Sequence, residues 1–197
     1  MTSSITTDSF RNYSNLLQAV LANADWSRLA LLADDILRCW QSGSRVFLCG
    51  NGGSAGNAIH LANDFLYGVA KKRGGGVKVL ALAANPAVLT CLGNDLGYEH
   101  IFSEQLAVQA EAGDILIALS GSGNSPNIIR ALEQSKSMGV KSYAVIGYDG
   151  GKCLTMADVA IHFAVNDMQI AEDMQLIMGH MLMQWLYSKR PGTQQSS

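Results

Sequence analysis

Two short stretches of the chain are rich in glycine and serine, and each directly follows an apolar, β-like run. Gly50-Asn51-Gly52-Gly53-Ser54-Ala55 comes after VFLC, and Ser120-Gly121-Ser122-Gly123-Asn124-Ser125 comes after ILIAL. A loop of this kind that opens into a helix turns backbone N–H groups and the positive end of the helix dipole toward one point, where an anion can be held. The hydroxyls of Ser54, Ser120, Ser122 and Ser125 add donors without a fixed positive charge, which suits a phosphate that has to leave again. Glycine and serine also serve any tight strand-to-helix turn, so it is the pairing of two such loops that points to a phosphate.

Downstream of the first loop, His60 and Asp64 stand four residues apart, on one face of the helix that follows it. That spacing suits two metal ligands or an acid/base pair, although histidines and carboxylates at helical spacing are commonly surface pairs. Near the C-terminus His180 lies eight residues beyond Glu172. Eight helical residues rise about 12 Å, so both reach one ion only if the helix starts irregularly or two subunits contribute. His100 and His162 have no chemical neighbours in sequence and read as structural.

The first loop also fits G-x-G-x-x-A, the dinucleotide fingerprint. A nicotinamide site then needs an acidic residue at the end of the second strand, where Ala83, Ala84 and Asn85 stand instead. A G-x-x-x-x-G-K-[ST] phosphate loop is absent. Monophosphate binding survives these comparisons.

The elements that must position these residues follow from periodicity. Residues 8–22 and 26–42 read as amphipathic helices, the second capped by Asp25 and followed by Gly43. Five β-rich runs, 45–49, 77–83, 114–120, 141–147 and 158–164, alternate with helical patterns. Their near-continuous apolar character suits strands buried on both faces. The expectation is an α/β fold, a three-layer doubly wound sandwich around a five-stranded parallel sheet with extra N-terminal helices. Ligands in such folds lie beyond the carboxyl ends of the strands, where both loops fall. Helix 168–188 is apolar almost all round, so part of it should pack on another subunit; its methionines read as adaptable core filling rather than soft-metal ligands. One domain is expected over 1–190, with a helical segment at 8–42 and an α/β core at 45–188, followed by a disordered polar tail at 191–197.

Bulk properties narrow the partners. A net charge of -2 offers no broad attraction for nucleic acid or anionic lipid. Mean hydropathy of +0.13 with 15% charged residues is apolar for a monomer, and an oligomer is expected, a tetramer in preference to a dimer. The four cysteines show no C-x-x-C spacing, residues 1–8 are not a signal peptide, and no run spans a bilayer, so a cytoplasmic protein with free thiols is expected.

Taken together, CGNGGSA, His60 and Asp64, GND at 93–95, LSGSGNS at 119–125 and YDGGK at 148–152 resemble the phosphoheptose isomerase family of the sugar isomerase (SIS) fold, over residues 10–188. The resemblance implies that Asn51, Gly52, Gly53, Ser54, Asn94, Asp95, Ser120, Ser122 and Ser125, with Gly121 and the residues at Asp64 and Glu172, hold a sugar phosphate. It implies that His60, Asp64, Glu172 and His180 hold one zinc ion per subunit. It further implies that Asp64 is the general base and His180 the general acid in an aldose–ketose isomerisation through an enediol. The substrate implied is sedoheptulose 7-phosphate, the product an aldoheptose 7-phosphate destined for surface polysaccharide such as lipopolysaccharide. Two departures stand out: the family usually has Glu at the position of Asp64 and Gln at that of Glu172. Around the latter its R-I-Q-E-x-H pattern is replaced by residues 170–175, IAEDMQ. A non-catalytic SIS module that binds a phosphosugar or a protein, as in the family member associated with the replication initiator, is the alternative, along with an isomerase of another sugar phosphate.

Overall fold

The computed structural model describes residues 2–190, so the 191–197 tail lies outside the described residues. Helices α1 (Thr2–Ala22) and α2 (Trp26–Ser42) lead into β1 (Arg45–Gly50), α3 (Gly53–Asn63), β2 (Lys78–Ala81), α4 (Pro86–Asp95) and α5 (Ser103–Gln109). Then come β3 (Ile115–Ser120), α6 (Pro126–Ser137), β4 (Lys141–Ile146), α7 (Cys153–Met156), β5 (Val159–His162) and α8 (Met168–Ser188). The expected boundaries of α2 hold for a local reason. Asp25 accepts a hydrogen bond from the Ser27 N–H, and Gly43 closes the helix at φ 76°, a left-handed conformation suited to glycine.

All strands are parallel, in the order β2-β1-β3-β4-β5. The chain leaves β1 toward one edge and returns to place β3 on its other side, so the switch point opens between the carboxyl ends of β1 and β3. Alternation along the strands makes two apolar layers. Val46, Leu48, Ile117, Leu119 and Val145 face α2, α3 and α8, whereas Phe47, Leu116, Ala118 and Ile146 face α5, α6 and α7. Each fully buried Leu, Ile or Phe contributes about 1.5–3 kcal/mol. Met174 and Met178 are fully buried in the first layer, as core filling requires. All four cysteines are free, and three are buried; burial pushes the Cys153 thiol up to about 11. No helix among the described residues is long and apolar enough to cross a membrane.

The edge strands are shorter than periodicity suggests. β2 keeps four residues because Val77 donates to Phe65 O instead of a neighbouring strand, and a turn closes from Ala84 to Ala81 O. β5 ends at His162, although Phe163 still donates to Ile146 O.

Away from the loops, Asp35 of α2 is 7% exposed and takes hydrogen bonds from Tyr143 and Arg38. Lys141 Nζ lies 2.6 Å from its Oδ2. Burial works to raise its pKa, but these donors outweigh burial and hold the carboxyl below its ordinary value. A group depressed in the folded state stabilises above its unfolded pKa and loses that contribution as pH falls through the folded one. Asp35→Asn is therefore expected to cost about 1–3 kcal/mol at neutral pH, a deficit that shrinks as pH drops below about 4. Urea unfolding of both proteins across pH 3–7 measures it.

Candidate functional site

Strand β1 ends at Gly50 and α3 begins at Gly53, so the two elements are joined by Asn51 and Gly52 alone, and the helix N-terminus faces the switch point. Strand β3 ends at Ser120 and α6 begins at Pro126, with Ser125 extended at the N-cap position. The Ser125 side chain makes no capping hydrogen bond there, which leaves its hydroxyl for a ligand. Between the loops lies a cavity of about 240 Å³ walled by Asn51 to Ser54, Ser120 to Ser122, Ser125, Met168 and Glu172. The two loops thus form a single cradle.

Several contacts hold this cradle in shape. Asn51 and Asn127 exchange amide hydrogen bonds, each 2.8 Å, and Tyr98 donates to Asn51 Oδ1 at 3.0 Å. Asn127, second in α6 and 1% exposed, thereby ties the first loop to the second. The second loop is also buttressed by residues 148–153: Cys153 N donates to Gly123 O at 3.0 Å, and Lys152 N to Asn124 Oδ1 at 3.1 Å.

Helices α3 and α8 pack in parallel and carry the remaining candidates. Down the seam, Glu172 faces Gly53, Asn57 donates to Gln175 Oε1 at 2.9 Å, Leu61 meets Gly179, and His60 meets His180. Close approach at the centre needs a residue without a side chain, since a Cβ on Gly179 would fall 2.2 Å from Leu61. After Asn63 the helix widens into a π-turn over Asp64–Gly68, closed by Val69 N to Asp64 O at 3.0 Å. Such widened turns recur at functional sites, and this one begins on Asp64.

The result is a cluster of His60, Asp64 and His180, the only such group of three among the described residues. The two Nε2 atoms are 2.9 Å apart, and Asp64 Oδ2 lies 3.5 Å from His60 Nε2 and 3.6 Å from His180 Nε2. Ligands about 2.0–2.2 Å from a tetrahedral divalent ion are separated by about 3.4 Å, so this donor set fits such an ion and leaves a fourth position open. The imidazoles are 48% and 46% exposed and Asp64 only 15%, so a substrate can approach from the histidine side.

Three of the four expected ligands therefore converge. Glu172 does not join them within this chain: α8 is regular from Met168, and the carboxylate overhangs Gly53, where a Cβ would lie 2.3 Å from Oε2. It stands at the N-terminus of α3, in the place an incoming anion would take. Asn94 and Asp95 also lie apart from the cradle wall; at the end of α4 they bond each other at 2.7 Å and are exposed. Residue patterns gave no sign of Asn57 and Gln175, whose partners are more than 100 positions away, whereas Asn127, directly after Pro126, could have been picked out as a second helical residue facing the loop.

Known proteins resemble this chain in sequence and in fold. The SIS domain family model matches residues 9–147. Phosphoheptose isomerase of Aneurinibacillus thermoaerophilus is 37% identical over 169 residues, 85% of either chain. That of Rhodospirillum rubrum is 39% identical over 142 residues, 72% of this chain and 75% of the relative. Among solved structures, phosphoheptose isomerase GmhA from Neisseria gonorrhoeae superimposes with a TM-score of 0.86 at 27% identity, and a phosphoheptose isomerase from Francisella tularensis with 0.88 at 27%. Each comparison covers 95% of this chain and 100% of the other.

Proposed function

The chain belongs to the phosphoheptose isomerase family of SIS-domain enzymes, and from that membership we propose that it interconverts sedoheptulose 7-phosphate and D-glycero-D-manno-heptose 7-phosphate. The observation that carries this reading is the distance along α3. Gly53 in the cradle and His60 in the imidazole–carboxylate cluster are seven residues apart on one face, a rise of about 10 Å. That separation is comparable with the reach of an extended seven-carbon sugar between its phosphate and its carbonyl end. A phosphate held by the serines presents C1 and C2 to the cluster.

In the forward direction Asp64 removes a proton from C1 while His180 donates one to O2, which gives an enediol. Asp64 then returns its proton to C2 as His180 recovers the proton of O1, so no external oxidant or reductant is needed. A zinc ion held by His60, Asp64 and His180 would supply Lewis-acid polarisation of the carbonyl oxygen, with Nδ1 of His180 and Oδ1 of Asp64 left for the proton transfers. Glu172 competes with the phosphate for the N-terminus of α3 and gives way when substrate enters. Copies of the chain associate as a homotetramer through apolar surface, in keeping with Phe10 at 71% exposure on α1 and an open groove between Trp26, Leu29, Met181 and Trp185.

Turnover of sedoheptulose 7-phosphate with zinc present tests the proposal, together with metal analysis. We expect aldoheptose product and stoichiometric zinc that is lost in the His60→Ala, His180→Ala double variant. Binding of the sugar phosphate without product, in folded metal-loaded protein, would replace the isomerase reading with a non-catalytic phosphosugar-binding module.

A further inference from the structure

Gln175 is 1% exposed, belongs to neither the cradle wall nor the histidine cluster, and is hydrogen-bonded at both ends of its amide. Its Nε2 donates to Ser54 Oγ at 3.0 Å. Its Oε1 accepts from Asn57 Nδ2 at 2.9 Å, and the same Nδ2 donates to the Glu172 backbone carbonyl at 3.0 Å. Ser54 is itself 4% exposed and lines the cradle. A serine hydroxyl has one proton to give and two lone pairs to receive with. Because Gln175 fills a receiving position, the Ser54 proton has to point elsewhere, and Ser54 is a wall of the cradle.

We infer that Gln175 is a positioning residue for anion binding: it fixes the Ser54 hydroxyl as a donor to the substrate phosphate. The inference rests on the cradle being the phosphate site. The three side chains form a polarised series running from the Asn57 amide through the Gln175 amide to the Ser54 hydroxyl, each donating to the next. Glutamine serves here because its amide receives at one atom and gives at the other. A methionine of similar length does neither, and a glutamate would accept from Ser54 and draw its proton away from the cradle.

The test is a double-mutant cycle with two readouts, the dissociation constant of inorganic phosphate by calorimetry and steady-state turnover of sedoheptulose 7-phosphate. Gln175→Met should weaken phosphate binding and raise KM by about 3- to 10-fold with kcat within twofold, and Gln175→Glu should weaken both further. In a Ser54→Ala background Gln175→Met should add less than twofold, because the hydroxyl it orients is gone. A purely structural glutamine would instead weaken binding equally in both backgrounds, and that additivity would overturn the inference, as would unchanged binding in Gln175→Met. Should that variant fail to fold, Gln175→Glu run through the same cycle decides in its place. The phosphate readout stands apart from turnover, so an inactive protein whose phosphate binding follows this pattern refutes the isomerase reading and leaves the role of Gln175 intact.

Discussion

Asp64→Asn is expected to lower turnover by about 100- to 10,000-fold with KM changed by no more than a few-fold. Asparagine keeps the length and shape of the side chain but cannot take up a proton at neutral pH. Since the base acts only as the C1–H bond breaks, kcat and kcat/KM should fall together. In the structure Oδ2 of Asp64 is turned to both imidazoles, at 3.5 and 3.6 Å, so the substitution also removes one anionic donor from the cluster. Metal content at saturating zinc separates the two effects. Loss of turnover in variant protein that still holds stoichiometric zinc assigns the base, whereas activity within tenfold of the parent in that same protein would show that another group abstracts the proton.

The features legible in sequence are those set by local chemistry. Two glycine- and serine-rich turns after apolar runs marked both halves of the cradle, because such turns have few other compositions. His60 and Asp64 were legible as a pair because four residues make one helical turn. What escaped depends on which helices meet. Nothing in residues 170–175 announces that Gln175 lies against Ser54, 121 positions away, or that the Glu172 carboxylate lies over Gly53. The stretch where the family resemblance is weakest is the stretch that faces α3, and parallel packing of α3 on α8 turned it into part of the site. Strand ends were misjudged for a related reason: 77–83 is apolar enough for a longer strand, but β2 lies at the sheet edge and has a neighbour on one side only.

The same parallel packing explains why the cradle and the cluster stay in register. Three layers of contact separate them along the seam: the buried Ser54–Gln175–Asn57 hydrogen bonds, the Leu61–Gly179 approach, and the His60–His180 contact. A slip of either helix by one residue would break all three together. The separation of the cradle from the His60–Asp64–His180 cluster is therefore fixed by backbone packing rather than by flexible side chains, as the proposed isomerisation, sensitive to sub-ångström placement, requires.

The second large effect is expected at Gly123, where the cradle leaves no room for a side chain. This residue has φ +65°, and a Cβ there would lie 2.0 Å from the carbonyl oxygen of Gly150, a backbone atom that cannot move without the 148–152 loop. Left-handed backbone in a non-glycine residue costs about 1–2 kcal/mol and a forced backbone shift about 1–3 kcal/mol. Gly123→Ala should thus destabilise by about 2–5 kcal/mol in urea unfolding. Its effect on function should be larger still. The Gly123 N–H donates to Ser120 Oγ and its carbonyl accepts from Cys153 N, so displacement spreads to both sides of the second loop and inorganic phosphate binding should be lost. Gly56→Ala is the matched control. It lies in α3 with nothing within 4 Å of the added methyl, where alanine in place of glycine stabilises a helix by about 0.5–1 kcal/mol. If Gly123→Ala proved as stable as the parent and still bound phosphate, the second loop would have to be looser than its contacts with residues 148–153 indicate, and the serines could not act as a preformed cradle.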